Sequence, residues 1–178
     1  MLKIWLLIVL LFSMGSLLNG CVSNTLPKNL NESGLLIIPK TVKNDSIKPW
    51  ARRYMLVVAK LEGGRLTEID KVNIANNNEN FQLVSNLSTG EYEFTRMTWA
   101  MSGGWRGTKA MDEGYKLSIP FSIVENKITI LPFDIHLLQA SNAMGISSSI
   151  HTSSLADKKK ELIVKELKNQ ENSVSWGL

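Results

Sequence analysis

Across residues 34–137 the apolar residues come in short runs, each cut by residues that turn a chain, and that rhythm belongs to an all-β domain. Leu35-Leu36-Ile37-Ile38 meets Pro39, which cannot donate to a ladder and is expected to stop the strand. Residues 54–61 are rich in β-formers and run into Gly63-Gly64, a pair free to take positive φ in a tight hairpin, with residues 66–74 returning. Asn76-Asn77-Asn78 reads as a loop, residues 81–84 as a short strand, and Ser88-Thr89-Gly90 as a turn.

Residues 91–99 alternate most clearly. Tyr92 and Phe94 point one way, and Glu91, Glu93 and Thr95 the other. Met97 and Trp99 then fall in the opposite phase, which requires either a bulge that switches faces or a covered outer face. Leu117, Ile119, Phe121 and Ile123 share one face of the next strand. Val124-Glu125-Asn126-Lys127 supplies a hairpin turn, and Ile128 and Ile130 resume the alternation up to Pro132. Phe133, Ile135 and Leu137 form a continuation or a separate edge segment. About seven strands result, enough for two packed sheets in an antiparallel β-sandwich over residues 34–138.

Residues 139–178 are expected to add a loop and a helix. The loop is placed at 139–154 because that stretch is rich in Ser, Ala and Gly. Ser154 is positioned to cap the helix, with Asp157 near its positive end. Leu155, Leu162, Ile163 and Leu167 mark its apolar side, and Lys158, Lys159, Lys160, Glu161 and Lys165 its solvated side. The helix is expected to lie on the sandwich, with Trp176 as an apolar plug.

Ahead of this domain, Lys3 precedes a stretch that is apolar from Ile4 to Met14 except for Ser13, and Ser16, Asn19 and Gly20 then break the pattern. Ile4 to Leu18 is 15 residues, short of the roughly 20 that span a bilayer. The closing run Leu18-Asn19-Gly20-Cys21, with the chain's only cysteine, resembles the lipobox of bacterial lipoproteins. That resemblance implies a signal peptide over residues 1–20, lipidation of Cys21 as the mature N-terminus, and three acyl chains on it. Each buried methylene is worth about 0.8 kcal/mol, so several chains hold a protein durably on a membrane. In that family an Asp after the cysteine favours inner-membrane retention. Val22 stands there instead, which implies the outer membrane. Residues 21–33 are polar, contain Pro27 and lack periodicity, and are expected to form a flexible tether.

Without the leader 158 residues remain, enough for one domain with an apolar core. Removing Lys3 leaves 19 basic against 16 acidic residues, too weak and scattered a charge for nucleic acid. With Cys21 acylated no thiol is left for disulfides or for cysteine-based metal or redox chemistry. No cofactor is expected.

Asn86-Leu87-Ser88-Thr89-Gly90-Glu91-Tyr92-Glu93-Phe94 and the hairpin over residues 121–137 resemble segments of bacterial lipoproteins with transthyretin-like or carboxypeptidase-regulatory-like β-sandwiches. Asn126 stands where that group has a turn glycine, and Leu131-Pro132 departs from its pattern. The resemblance implies a fold and no catalytic residues.

Among candidate sites, residues 99–115 combine aromatic and basic side chains with glycines. Trp99, Trp105, Arg106 and Tyr115 could bind a glycan, peptide or lipid headgroup, or the tryptophans could seal one end of the sandwich. Asp134 and His136, two apart on a strand, share a face and could begin a metal or hydrolytic site. The other histidine, His151, falls in the expected loop, so no third zinc ligand is spaced for the task and no metal site is expected. An exposed polar pair at a sheet edge is the simpler expectation. Glu91 and Glu93 read as solvated neighbours rather than a glycosidase pair. No Gly-x-Ser-x-Gly or Ser-x-x-Lys context presents an activated serine. The sequence thus points to a non-enzymatic, lipid-anchored envelope module whose partners are the membrane and an envelope protein or glycan. An envelope hydrolase using His136 with Asp134, or an accessory subunit docking through the C-terminal helix, are the alternatives.

Overall fold

The computed structural model of the chain describes residues 25–29, 33–46, 52–85, 87–101, 110–142 and 145–178. Cys21, Trp105 and Arg106 lie outside them. The described residues form nine strands in two stacked sheets, with a helix as a third layer. The strands are β1 (Leu35–Asn44), β2 (Arg52–Glu62), β3 (Arg65–Ile74), β4 (Phe81–Val84), β5 (Gly90–Met101), β6 (Ala110–Ile123), β7 (Ile128–Ile130), β8 (Phe133–Asn142) and β9 (Gly145–Ser154). Helix α1 (Asp157–Lys168) follows, then a 3-10 turn at Ser173–Trp176. The fold is a β-sandwich with a C-terminal helix.

One sheet, in the order β3-β2-β5-β6, is antiparallel throughout. The other is mixed. β4 and β9 form its edges, and β1 runs parallel to β7 and then to β8. The continuous apolar run at the start of β1 follows from this central place, because both faces of the strand are covered. Leu36 and Ile38 enter the core between the sheets with Tyr54, Leu56, Phe94, Ile123, Ile135 and Leu137. Leu35 and Ile37 face the other way, against Ile163 and Leu167 of α1.

Several sequence-level expectations hold in detail. Gly63 and Gly64 take φ of 58° and 80° and close the β2–β3 hairpin between Glu62 and Arg65. Asn126 takes φ of 58° in a turn where the Lys127 N–H donates to the Val124 carbonyl, but the expected hairpin over residues 121–137 does not form. β6 pairs with β5 and β7 with β1, so this turn carries the chain from one sheet to the other. The phase change in β5 is a bulge. Phe94 pairs with Val58 and Arg96 with Val57, leaving Thr95 as the extra residue, so Tyr92, Phe94, Met97 and Trp99 all reach one core.

Others are corrected. Pro39 does not end β1. The preceding ladder with β7 covers residues 35–37 and the following one with β8 covers 40–44, so the missing N–H falls in the gap between them. The expected loop over residues 139–154 is mostly strand: residues 139–142 complete β8 and residues 145–154 form β9, paired in unbroken register from Phe133↔Ser154 to Asn142↔Gly145. β9 is an edge strand whose described residues are exposed or only partly buried, so serine and threonine suffice where a buried strand would need apolar residues. Ser154 therefore belongs to a strand, and Ala156 holds the helix N-cap position without a side-chain bond. The expected tether over residues 21–33 is docked in part: Leu26 is 1% exposed among Ile163, Leu167 and Trp176. Trp176 is the predicted plug, and it also ties down this segment.

Candidate functional site

The densest polar grouping among the described residues lies where the N-terminal turn of α1 meets β1, β8 and β9. In β8, Ile135 and Leu137 enter the sandwich core, so alternation places Asp134 and His136 on the helix-facing side. Thr41 of β1 pairs with His136, and His136 in turn with His151 of β9. On α1, Ile163 and Leu167 form the buried stripe, and Lys159 continues it one turn earlier.

Lys159 therefore points inward rather than to solvent, and Leu162, assigned to the apolar side, is 46% exposed. The Lys159 ammonium donates to Asp134 Oδ1 at 2.8 Å and Oδ2 at 2.7 Å, to Thr41 Oγ1 at 2.6 Å and to the Lys40 carbonyl at 2.7 Å. Thr41 Oγ1 also donates to Asp134 Oδ2 at 2.7 Å. Asp134 is buried, with its side chain 7% exposed, and β8 is an interior strand, so this is not the exposed edge pair expected from sequence.

His136 Nε2 lies 2.8 Å from Ser153 Oγ and 3.4 Å from Asp134 Oδ2. Its ring stacks on His151, with centroids 4.6 Å apart and planes 6° from parallel. Burial lowers the His136 pKa below its ordinary value. Asp134 opposes that shift, while His151 and Lys159 add to it. The imidazole is therefore neutral at neutral pH, and its contact with Asp134 is a polar contact rather than an ion pair.

Aspartate, histidine and serine thus converge here, although no local pattern marks Ser153. Their connectivity differs from a catalytic triad. In a triad the carboxylate holds one imidazole nitrogen while the other faces the serine. Here Ser153 and Asp134 both approach Nε2, and the carboxylate is already occupied by Lys159 and Thr41. Among the described residues no group of three or more His, Cys, Asp or Glu side chains is placed to hold a metal ion. The arrangement does tie α1 to the sheet through a buried charge pair.

A second buried cation lies nearby. Lys40, in phase with Leu36 and Ile38, is 1% exposed and donates to the Ala75 carbonyl at 2.8 Å, to the Asn77 carbonyl at 3.1 Å and to Asn77 Oδ1. Burial lowers its pKa to about 8, with Glu79 opposing and Lys159 reinforcing the shift. Lys40 thereby organises the β3–β4 connection, where Gln82 Oε1 also accepts from the Ala75 N–H at 2.8 Å.

The aromatic segment divides. Trp99 is partly buried and packs against the sandwich core, so it serves the structural role that sequence offered as its alternative. Tyr115, in β6 opposite Met97, is 67% exposed and available to a partner. Glu91 accepts from Ser122 Oγ at 2.7 Å on the exposed face, as a solvated residue would. On the β2–β3 side of the all-antiparallel sheet a shallow depression of about 430 Å³ is lined by Val57, Glu68, Ile69, Asp70 and Lys71.

Lys159, Thr41 and Ser153 were missed by sequence reasoning. Only Lys159 left a signal, since it stands four and eight residues before Ile163 and Leu167. Among the described residues no helix is long and apolar enough to cross a membrane. No family model, curated protein or solved structure matches this chain.

Proposed function

We propose that the protein is a lipid-anchored β-sandwich of the bacterial envelope, acting as a binding or structural module rather than an enzyme. The observation that carries this reading is Leu18-Asn19-Gly20-Cys21 at the end of an apolar leader, with the chain's only cysteine at the modification position. The connectivity at His136 supports the non-enzymatic part. A serine and a carboxylate that share one imidazole nitrogen lack the proton relay of a hydrolase, and Lys159 already satisfies the carboxylate. The apolar stripe of α1 covers the protein's own sheet, which leaves Tyr115 as the most exposed aromatic among the described residues for a glycan or protein partner. The outer membrane is the proposed location, from Val22 after the cysteine.

Cys21→Ala is the test. In cells fed labelled fatty acid, the wild-type chain should carry label and sediment with membranes, and the variant should lose both. Label or sedimentation that persists in the variant would end the anchor reading. Activity toward ester or amide substrates that disappears in His136→Ala would end the non-enzymatic reading.

A further inference from the structure

We propose that the anchored protein lies on the bilayer by one face, the end where the 3-10 turn clamps residues 26–29, with Val174 in contact with lipid headgroups. The inference rests on the Cys21 anchor proposed above. It begins from a clamp in which the two ends of the described chain hold each other. Leu26 is buried against Ile163, Leu167 and Trp176. Its N–H donates to Gln170 Oε1, and its carbonyl accepts from Asn172 Nδ2 at 2.8 Å. Trp176 Nε1 donates to the Pro27 carbonyl at 2.7 Å, and Asn29 Nδ2 to the Ser175 carbonyl at 3.0 Å.

The clamp sets the tether length. Cys21 and Leu26 are five residues apart in the sequence, and an extended chain spans at most about 3.4 Å per residue, so Leu26 stays within about 17 Å of the anchored sulfur's residue. A compact domain of about 150 residues has a radius of gyration near 15 Å and is roughly 40 Å across. A leash shorter than half that width cannot let the far sheet roll down to the membrane. If the clamp were absent, the next residue held among those described would be Ser33, bridged to Ser88. Its twelve residues of reach, about 40 Å, would leave every face free to turn.

The surface at the clamped end suits lipid. Val174 is 85% exposed, the most exposed large apolar side chain among those described. Lys28, Lys165 and Lys168 against Glu166 and Glu171 leave these segments close to neutral, so the contact rests on the tether and Val174 rather than on charge. The Asp134–His136 cluster meets α1 near Lys159, nine residues before Lys168, and so lies about 14 Å further along the helix, away from the clamp. Ligands approaching from the aqueous side would meet that end first.

The test uses the full-length chain, matured in cells and carrying Val174→Cys or, on β3 two layers away, Thr67→Cys. Acylation blocks Cys21, so an environment-sensitive dye labels only the new thiol. The proteins are placed in vesicles of phosphatidylethanolamine and phosphatidylglycerol containing headgroup-nitroxide lipid, and their masses are measured. Quenching is expected to be several-fold stronger at position 174 than at 67. Adding Leu26→Asp, which unseats the clamp at the chain's terminal segment, should bring the two positions together. Equal quenching in the parent pair with acylated mass would overturn the membrane-facing surface while leaving the anchor intact. An unmodified mass would overturn both.

Discussion

Lys159→Met should loosen the helix layer by leaving a carboxylate buried without its cation. Removing one member of a fully buried charge pair costs about 3–5 kcal/mol. The Lys159 side chain is 18% exposed here, and Thr41 would still donate to Asp134, so we expect a smaller cost of about 2 kcal/mol. With a urea m-value of about 2 kcal/mol/M for a domain of this size, the unfolding midpoint should fall by about 1 M. Adding Asp134→Asn removes the stranded charge and should restore a large part of the loss, giving a coupling energy that a double-mutant cycle reads directly. Lys159→Met alone also removes a positive charge that lowers the His136 pKa, so His136 should titrate at higher pH by NMR. A Lys159→Met midpoint within 0.2 M of wild type (about 0.4 kcal/mol), or strictly additive losses in the double variant, would refute the claim that this pair ties α1 to the sheet.

Trp99→Ala should cost about 2–4 kcal/mol in urea unfolding because Trp99 packs on the core, whereas Tyr115→Ala should stay within about 0.5 kcal/mol of wild type. Gly34→Ala should be strongly destabilising, since its Cβ would meet the Val124 carbonyl oxygen at 2.4 Å. Gly64→Ala, with nothing within 4 Å but φ of +80°, should cost only about 1 kcal/mol, and thermal melts of the two will show the difference. Lys40 has a folded pKa of about 8 against an ordinary 10.5, so between those values the unfolded chain binds more protons. Its contribution to stability should therefore rise as pH increases from 8 to 10.5, and denaturation series should show that slope in wild type and lose it in Lys40→Met.

What could be read from sequence was what alternation and turn chemistry encode locally. Gly63-Gly64, the turn at Asn126 and the face switch near Thr95 are decided by residues within a few positions of each and lie where expected. Which strand β7 pairs with is not local, so the turn at Asn126 links the two sheets instead of closing a hairpin. β9 was hidden because an edge strand with little buried surface does not need an apolar code, and its serines read as loop. Pro39 misled because its rule assumes a continuous neighbour on the N–H side, and here that neighbour is interrupted at Pro132. The Asp134 cluster joins residues about 90 and 25 positions apart, from Thr41 and Lys159 respectively, and no local pattern reports such a meeting. Leu26 looked like one apolar residue in a polar stretch; its burial depends on Trp176, 150 residues later.

The most direct test of a membrane-tied sandwich is the intact mass of the protein extracted from its own cells. The account predicts a chain that starts at residue 21 and is heavier than its sequence by a diacylglyceryl group on sulfur and an amide-linked acyl group. A mass equal to that of the full 178 residues, with Met1 present and the Cys21 thiol free to alkylate, would contradict it.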